Sequence, residues 1–157
     1  MAIIVQKYGG TSIGTVDKIS LVADKIIVEK NNGNDVVVVV SAMSGETDKL
    51  HNLAKIINPE VKGRELDVLI STGEQVTISL LALTLVEKGY DAISLTGSQA
   101  GIITNNVFNK ARIESINNSV IKNYLNSGKI VVVAGFQGVT EHGDITTLGR
   151  GGSDTSA

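Results

Sequence analysis

Two spacings alternate along this chain. Short β-branched or apolar runs occur at Ile3-Ile4-Val5, at the five consecutive valines of residues 36–40, at Val68-Leu69-Ile70, at residues 92–95 and at residues 130–133. Uninterrupted apolar runs of this length predict strands covered on both faces, as in parallel sheets. Between them, apolar residues recur every three or four positions. Val16, Ile19, Val22, Ala23, Ile26 and Ile27 predict a helix stopped by Asn31-Asn32-Gly33-Asn34. Residues 74–88 are apolar nearly all round and end at Gly89, which predicts a largely buried helix with a glycine cap. Ile113, Ile116, Val120 and Tyr124 predict a third helix, opened by Asn109 and closed by Asn126-Ser127-Gly128, and a weaker one is expected over 48–57, before Pro59. Val139-Thr140 and residues 145–148, separated by Glu141-His142-Gly143-Asp144, predict a hairpin. Strand–helix alternation of this kind implies an α/β fold with right-handed crossovers and helices on both faces of a mostly parallel sheet. At the end, Ser153-Asp154-Thr155-Ser156 signals a helix start. One turn of helix stabilises nothing alone, so the chain is expected to be a fragment of a longer protein.

Composition narrows the function classes. A chain of 157 residues suits one domain or a piece of one. Its 16 acids and 14 bases leave a formal charge of −2, which excludes a polybasic nucleic-acid binder and an acidic disordered tail. Hydrophobic residues make up 42% and aromatics only 3%, so a real core exists and Val, Ile, Leu and Ala must fill it. The absence of Cys excludes a disulfide scaffold, a Cys-ligated zinc and a thiol nucleophile. The longest apolar stretch, residues 76–86, is interrupted by Thr77, Ser79 and Thr84, short of the ~20 apolar residues of a membrane helix. No basic region precedes the first apolar run, unlike a signal peptide. The expectation is a cytoplasmic protein with neither nucleic acid nor membrane as partner.

Candidate chemistry collects after the expected strands, where ligands of open α/β sheets sit. The five following segments are Lys7-Tyr8-Gly9-Gly10-Thr11-Ser12, Ser41-Ala42-Met43-Ser44-Gly45-Glu46-Thr47, Ser71-Thr72-Gly73-Glu74, Thr96-Gly97-Ser98-Gln99-Ala100-Gly101 and Ala134-Gly135-Phe136-Gln137-Gly138. Each contains glycine, and the first four also carry hydroxyls. One sheet edge is thereby lined with small donors and free backbone N–H groups, which suits phosphate or carboxylate. Neither a P-loop nor a Gly-x-Gly-x-x-Gly dinucleotide fingerprint is present. Lys7 reads either as a solvated strand-end lysine or as a cation delivered to the glycine loop. Glu74 reads either as a first-turn helix acid or as a ligand group. Arg150, in Gly149-Arg150-Gly151-Gly152, has a fork suited to a carboxylate. Asp154 could be a simple N-cap. His51 and His142 stand alone, and no metal site of protein side chains is expected.

Taken together, Lys7-Tyr8-Gly9-Gly10-Thr11-Ser12, Val39-Val40-Ser41-Ala42-Met43-Ser44-Gly45, Ser71-Thr72-Gly73-Glu74-Gln75 and Gly149-Arg150-Gly151-Gly152-Ser153-Asp154-Thr155 closely resemble the aspartate kinases of the amino acid kinase family, in order and spacing over the whole chain. The resemblance implies a three-layer αβα sandwich and ATP-dependent phosphorylation of the side-chain carboxylate of L-aspartate, the start of the route to lysine, threonine and methionine. It places Lys7, Tyr8, Gly9, Gly10 and Ser41 on the phosphate side. Thr47, Glu74, Arg150, Gly151 and Gly152 fall on the aspartate side, with Ser12 and Ser153 lining the junction and Asp154 organising the catalytic centre with Lys7. ATP with Mg²⁺, held mainly through ATP, is the implied cofactor, and a homo-oligomer is implied for the full-length enzyme. The family's adenine-binding segment and regulatory ACT domains are not in these residues. A fragment without them is expected to be inactive. The alternatives are a non-catalytic binding or assembly module and a sister amino acid kinase with another carboxylate substrate.

Overall fold

The computed structural model describes residues 1–149 and 152–157, with Ser153 described in its backbone only. In chain order the elements are β1 (Ile3–Tyr8), α1 (Val16–Asn31), β2 (Asp35–Val40), α2 (Glu46–Ile57), α3 (Arg64–Glu87), β3 (Ala92–Leu95), β4 (Ile102–Thr104), β5 (Ile113–Ile116), α4 (Ser119–Asn126), β6 (Ile130–Ala134), β7 (Gln137–Val139), β8 (Ile145–Thr147) and α5 (Gly152–Ser156).

The main sheet has the order β1-β2-β6-β3, and every pair in it is parallel. Side chains on a strand alternate between faces, so the valine run of β2 feeds two cores at once. Val36, Val38 and Val40 join Ile130 and Val132 of β6 under Ile19, Val22 and Ile26 of α1 and Ile78, Leu81 and Leu85 of α3. Val37 joins Val131 and Val133 of β6 and Leu95 of β3 on the opposite face, against Leu125 of α4 and Ala100 and Ile102. The sandwich is therefore three-layered, with α helices on both sides of a parallel sheet. A second sheet, of order β5-β4-β7-β8, holds the 139–145 hairpin, whose strands pair antiparallel.

Three expectations fail. Val68-Leu69-Ile70 is not a strand: it lies inside α3, a helix of 24 residues. The buried positions Leu66, Ile70, Ile78, Leu81 and Leu85 carry a three-and-four period straight through it, and that period outweighs three local β-formers. Ser71-Thr72-Gly73-Glu74 is accordingly mid-helix rather than a turn. Gly73 fits there because a Cβ would sit 3.2 Å from the Ala42 side chain and 3.4 Å from that of Leu50 in α2. Second, Ile113–Ile116 pairs antiparallel with β4 as β5, and the helix begins only at Ser119, with Asn118 as its cap. Asn109 caps no helix; it sits at φ 69. Third, β1 is the edge of the sheet, and its Ile3 and Val5 are 56% and 47% exposed. The helix end at Gly89 holds: φ is 90 and its N–H donates to the Val86 carbonyl.

Joining two expected elements into one makes α3 long and apolar enough to cross a membrane, its most apolar 18-residue window averaging a hydropathy of 1.5. Half of that window is buried in this fold, where α3 forms one wall of the larger core.

Candidate functional site

The carboxyl ends of β1, β2 and β6 lie side by side, because the strands run parallel in adjacent registers. The loops beyond them interlock. The Ser41 N–H donates to the Tyr8 carbonyl, and the Ser44 N–H to that of Gly10 at 3.2 Å. Gly10 has to be glycine for this approach, since a Cβ would lie 2.9 Å from the Ala42 carbonyl oxygen. Gly135 N–H donates to the Val40 carbonyl, which brings the β6–β7 corner alongside. Ser12 is exposed on the β1 loop, and Thr47 lies half-buried in the first turn of α2. Burial pushes the half-buried Tyr8 phenol up from its ordinary range.

Lys7 is the penultimate residue of β1, and its side chain reaches the glycine loop: a Cβ on Gly9 would be 3.8 Å from Nζ. The same Nζ lies 2.7 Å from the Asp154 carboxylate, with Lys7 32% and Asp154 68% exposed. An ion pair this open adds little to stability. Its consequence is positional: it brings α5 beside the glycine loop. Ser156 Oγ fixes the other side of α5 by donating to the Gly135 carbonyl at 2.7 Å. Gly152 is buried against Leu148. Arg150 and Gly151 lie outside the described residues, as does the side chain of Ser153.

Glu74 is 3% exposed. Its carboxylate accepts from the Phe136 N–H at 2.8 Å and from Gln137 Nε2 at 3.1 Å. Desolvation by burial pushes the carboxyl up to about 8, against the pull of donors at Phe136, Gln137 and Gly135. Gln137 Nε2 also donates to the Ser71 carbonyl, and its Oε1 accepts from the Gly97 N–H. Glu74 and Gln137 thus tie mid-α3, the β3 end and the β6–β7 corner together behind the edge that Lys7 and Ser41 border.

A second buried acid, Asp67, is not among the residues expected from sequence. It is 0% exposed and accepts from the backbone N–H groups of Asn109 and Thr147 at 3.0 Å each, and from Asn109 Nδ2 and Thr147 Oγ1 at 2.6 Å each. Periodicity carried the clue: Asp67, Ile70, Glu74 and Thr77 share the buried stripe of α3. Next to this cluster opens a cavity of about 750 Å³, lined on one side by Asn105, Lys110 and Arg112 and on the other by Leu148, Gly149 and Gly152. Among the described residues no group of three or more His, Cys, Asp or Glu converges to hold a metal.

The model of the amino acid kinase family matches residues 2–157. The chain is 64% identical over its full length to a protein called aspartokinase from Bacillus sp. (strain MGA3), and spans 38% of that relative. Among solved structures it is similar to an aspartate kinase from Synechocystis, with TM-score 0.81 and 54% identity, covering 99% of this chain and 25% of that one. A structure of aspartokinase III from E. coli, described as a complex with aspartate and ADP, shares the fold at TM-score 0.80 and 23% identity, covering 100% of this chain and 45% of that one.

Proposed function

Because the chain belongs to the amino acid kinase family, we propose on that premise that it forms the phosphate-side and aspartate-side walls of an aspartate kinase. The observation that carries this reading is the 2.7 Å contact between Lys7 and Asp154 over the glycine loop, in a chain 64% identical to an aspartokinase.

The reaction is transfer of the γ-phosphoryl group of ATP to the β-carboxylate of L-aspartate. A carboxylate oxygen forms the new bond to phosphorus as the bond to the bridging oxygen breaks, and ADP leaves with that electron pair. The acceptor, with a reference pKa of about 3.9, is already ionised near neutral pH, so no general base is required. Asp154 therefore need not take a proton; it holds Lys7. What the site must provide is alignment and neutralisation of charge. Lys7 offers the cation, and Gly9, Gly10 and Ser41 allow the chain to approach the phosphates. When bound with ATP, Mg²⁺ would supply further neutralisation.

On the aspartate side, Arg150 takes the α-carboxylate through its bidentate fork. Gly151 and Gly152 leave room for the substrate, Thr47 and Ser153 offer hydroxyls to it, and Ser12 lies at the junction with the phosphates. Glu74 is assigned to the α-ammonium. Its carboxyl, raised to about 8 by burial, would be drawn into the ionised form by an arriving cation. The 157 residues form the first part of this kinase domain, and the adenine contacts and regulatory domains come from elsewhere.

The test is acyl phosphate formation from ATP, trapped as the hydroxamate with hydroxylamine, in the full enzyme. Aspartate should give product, and glutamate and N-acetylglutamate should not. Preference for either of the latter would assign the chain to a sister kinase.

A further inference from the structure

We propose that Asp67 is a positioning residue that sets the spacing between the two walls of the cavity of about 750 Å³, and thereby the fit of the amino-acid substrate. The proposal rests on the aspartate kinase reading above.

The bonding pattern is the starting point. Each Asp67 oxygen takes one donor from each of two distant segments: Oδ2 accepts the N–H groups of Asn109 and Thr147, and Oδ1 accepts Asn109 Nδ2 and Thr147 Oγ1. All four partners are donors, which suits an acceptor-only group. No cation among the described residues pairs with it. A buried carboxylate satisfied by neutral donors is a costly way to hold loops together when apolar packing could do it. What it adds over apolar packing is direction, because hydrogen bonds fix distance and angle whereas apolar contacts slide.

The two segments run directly into the two walls. Asn109 leads to Lys110, Ala111 and Arg112, and Thr147 leads to Leu148 and Gly149. One cross-link joins them above Asp67, where the Ala111 N–H donates to the Thr147 carbonyl at 2.9 Å. Asn109 is held at φ 69 by the same bonds and by a reciprocal pair with Gly63, whose N–H donates to Asn109 Oδ1 and whose carbonyl accepts from Nδ2. The wall built on Thr147 runs through Leu148 to Gly149, which in sequence directly precedes Arg150, assigned above to the aspartate α-carboxylate. Displacing Thr147 would therefore displace the start of the segment assigned to the aspartate.

The variants are Thr147→Val, which removes the Oγ1 donor at similar volume, Thr147→Ser, which keeps it, and Asp67→Asn. They are measured in the full enzyme for kcat and both KM values, together with amide hydrogen exchange at Ala111 and Leu148. Thr147→Val and Asp67→Asn should raise KM for aspartate about tenfold or more, leave kcat and KM for ATP within about twofold, and speed exchange at both amides. Thr147→Ser should stay within about twofold of the parent throughout, by the same principle. Parent-like KM for aspartate overturns the proposal, even if exchange or melting temperature changes, since the role is then only structural. Should Asp67→Asn fail to fold, the Val and Ser variants of Thr147 decide. Should the parent phosphorylate another amino-acid acceptor instead of aspartate, the functional reading fails separately, and the KM for that acceptor decides: a rise in Thr147→Val supports the positioning role and a parent-like value overturns it.

Discussion

Lys7, at the end of an edge strand, and Asp154, in the short helix α5, meet at 2.7 Å across the glycine loop that follows β1. Residues from opposite ends of the chain are thereby joined at the carboxyl edge of the parallel sheet. Both stay partly open to solvent, so a ligand can reach either one.

If Lys7 neutralises the transferring phosphoryl group, Lys7→Ala should lower kcat on the order of 10²-fold, comparable to losing an oxyanion donor. Asp154→Ala should lower it less, by roughly tenfold, because it acts through Lys7; the double variant should be no worse than Lys7→Ala alone. Steady-state kinetics on the three variants checks this, and additive losses would separate the two residues. Melting temperatures should barely move, since so exposed a pair contributes at most about 1 kcal/mol.

Arg150→Ala should act differently. It should raise KM for aspartate by on the order of 10-fold or more and leave KM for ATP near the parent's. Initial rates at varied aspartate and varied ATP separate the two effects, and a change confined to ATP would put Arg150 on the wrong ligand.

Glu74 makes stability depend on pH. Its carboxyl is raised from 4.5 to about 8 in the fold, so the folded chain keeps the proton where the unfolded chain has released it. The stabilisation is complete below about pH 4.5 and is lost as pH rises to about 8, at roughly 1.4 kcal/mol per pH unit. Above that pH both states are ionised and the loss stops. Urea melts of the parent should therefore weaken across this window relative to Glu74→Gln, which cannot titrate. Parallel pH curves for the two would contradict the burial argument.

Gly10→Ala tests the interlocked loops. The added Cβ would lie 2.9 Å from the Ala42 carbonyl oxygen, a backbone atom. The β1 and β2 loops must separate to admit it, at a cost of about 1–3 kcal/mol. Thermal melting should show the loss, and unchanged melting would mean that the loops yield freely.

Much of the fold is legible from periodicity. The valine run of β2, the strands β3 and β6, the helix α1 and the hairpin at 139–145 all follow from spacing, because continuous apolar runs and three-and-four repeats are backed here by both cores. The failures share a cause. Val68-Leu69-Ile70 and Ile113 to Tyr124 fit two templates locally, and only tertiary partners decide between them: α3 keeps its helical period there because Leu66 and Ile70 pack with Ala54 of α2, and Ile113–Ile116 becomes a strand because β4 offers it a ladder. Lys7 and the glycine loop could be singled out from sequence because they stand at the carboxyl end of an apolar strand run and just beyond it. For Asp67 periodicity offers only its place on the buried stripe of α3, and for Gln137 it offers nothing, since each gathers partners distant in the chain, including Asn109 and Thr147 for Asp67 and Ser71 and Gly97 for Gln137. Glu74 could be picked out as an acid on an apolar helix, but its burial against Phe136 depends on a corner made 62 residues later.

The most direct measurement is a crystal structure of the full enzyme with Mg²⁺, a non-hydrolysable ATP analogue and aspartate. The γ-phosphate should lie within hydrogen-bond reach of Lys7 Nζ, with the β-carboxylate about 3–3.5 Å from its phosphorus, on the side where Asp154 stands. A triphosphate or an aspartate bound away from this edge of the sheet, with Lys7 still paired to Asp154 and touching neither, would contradict the account.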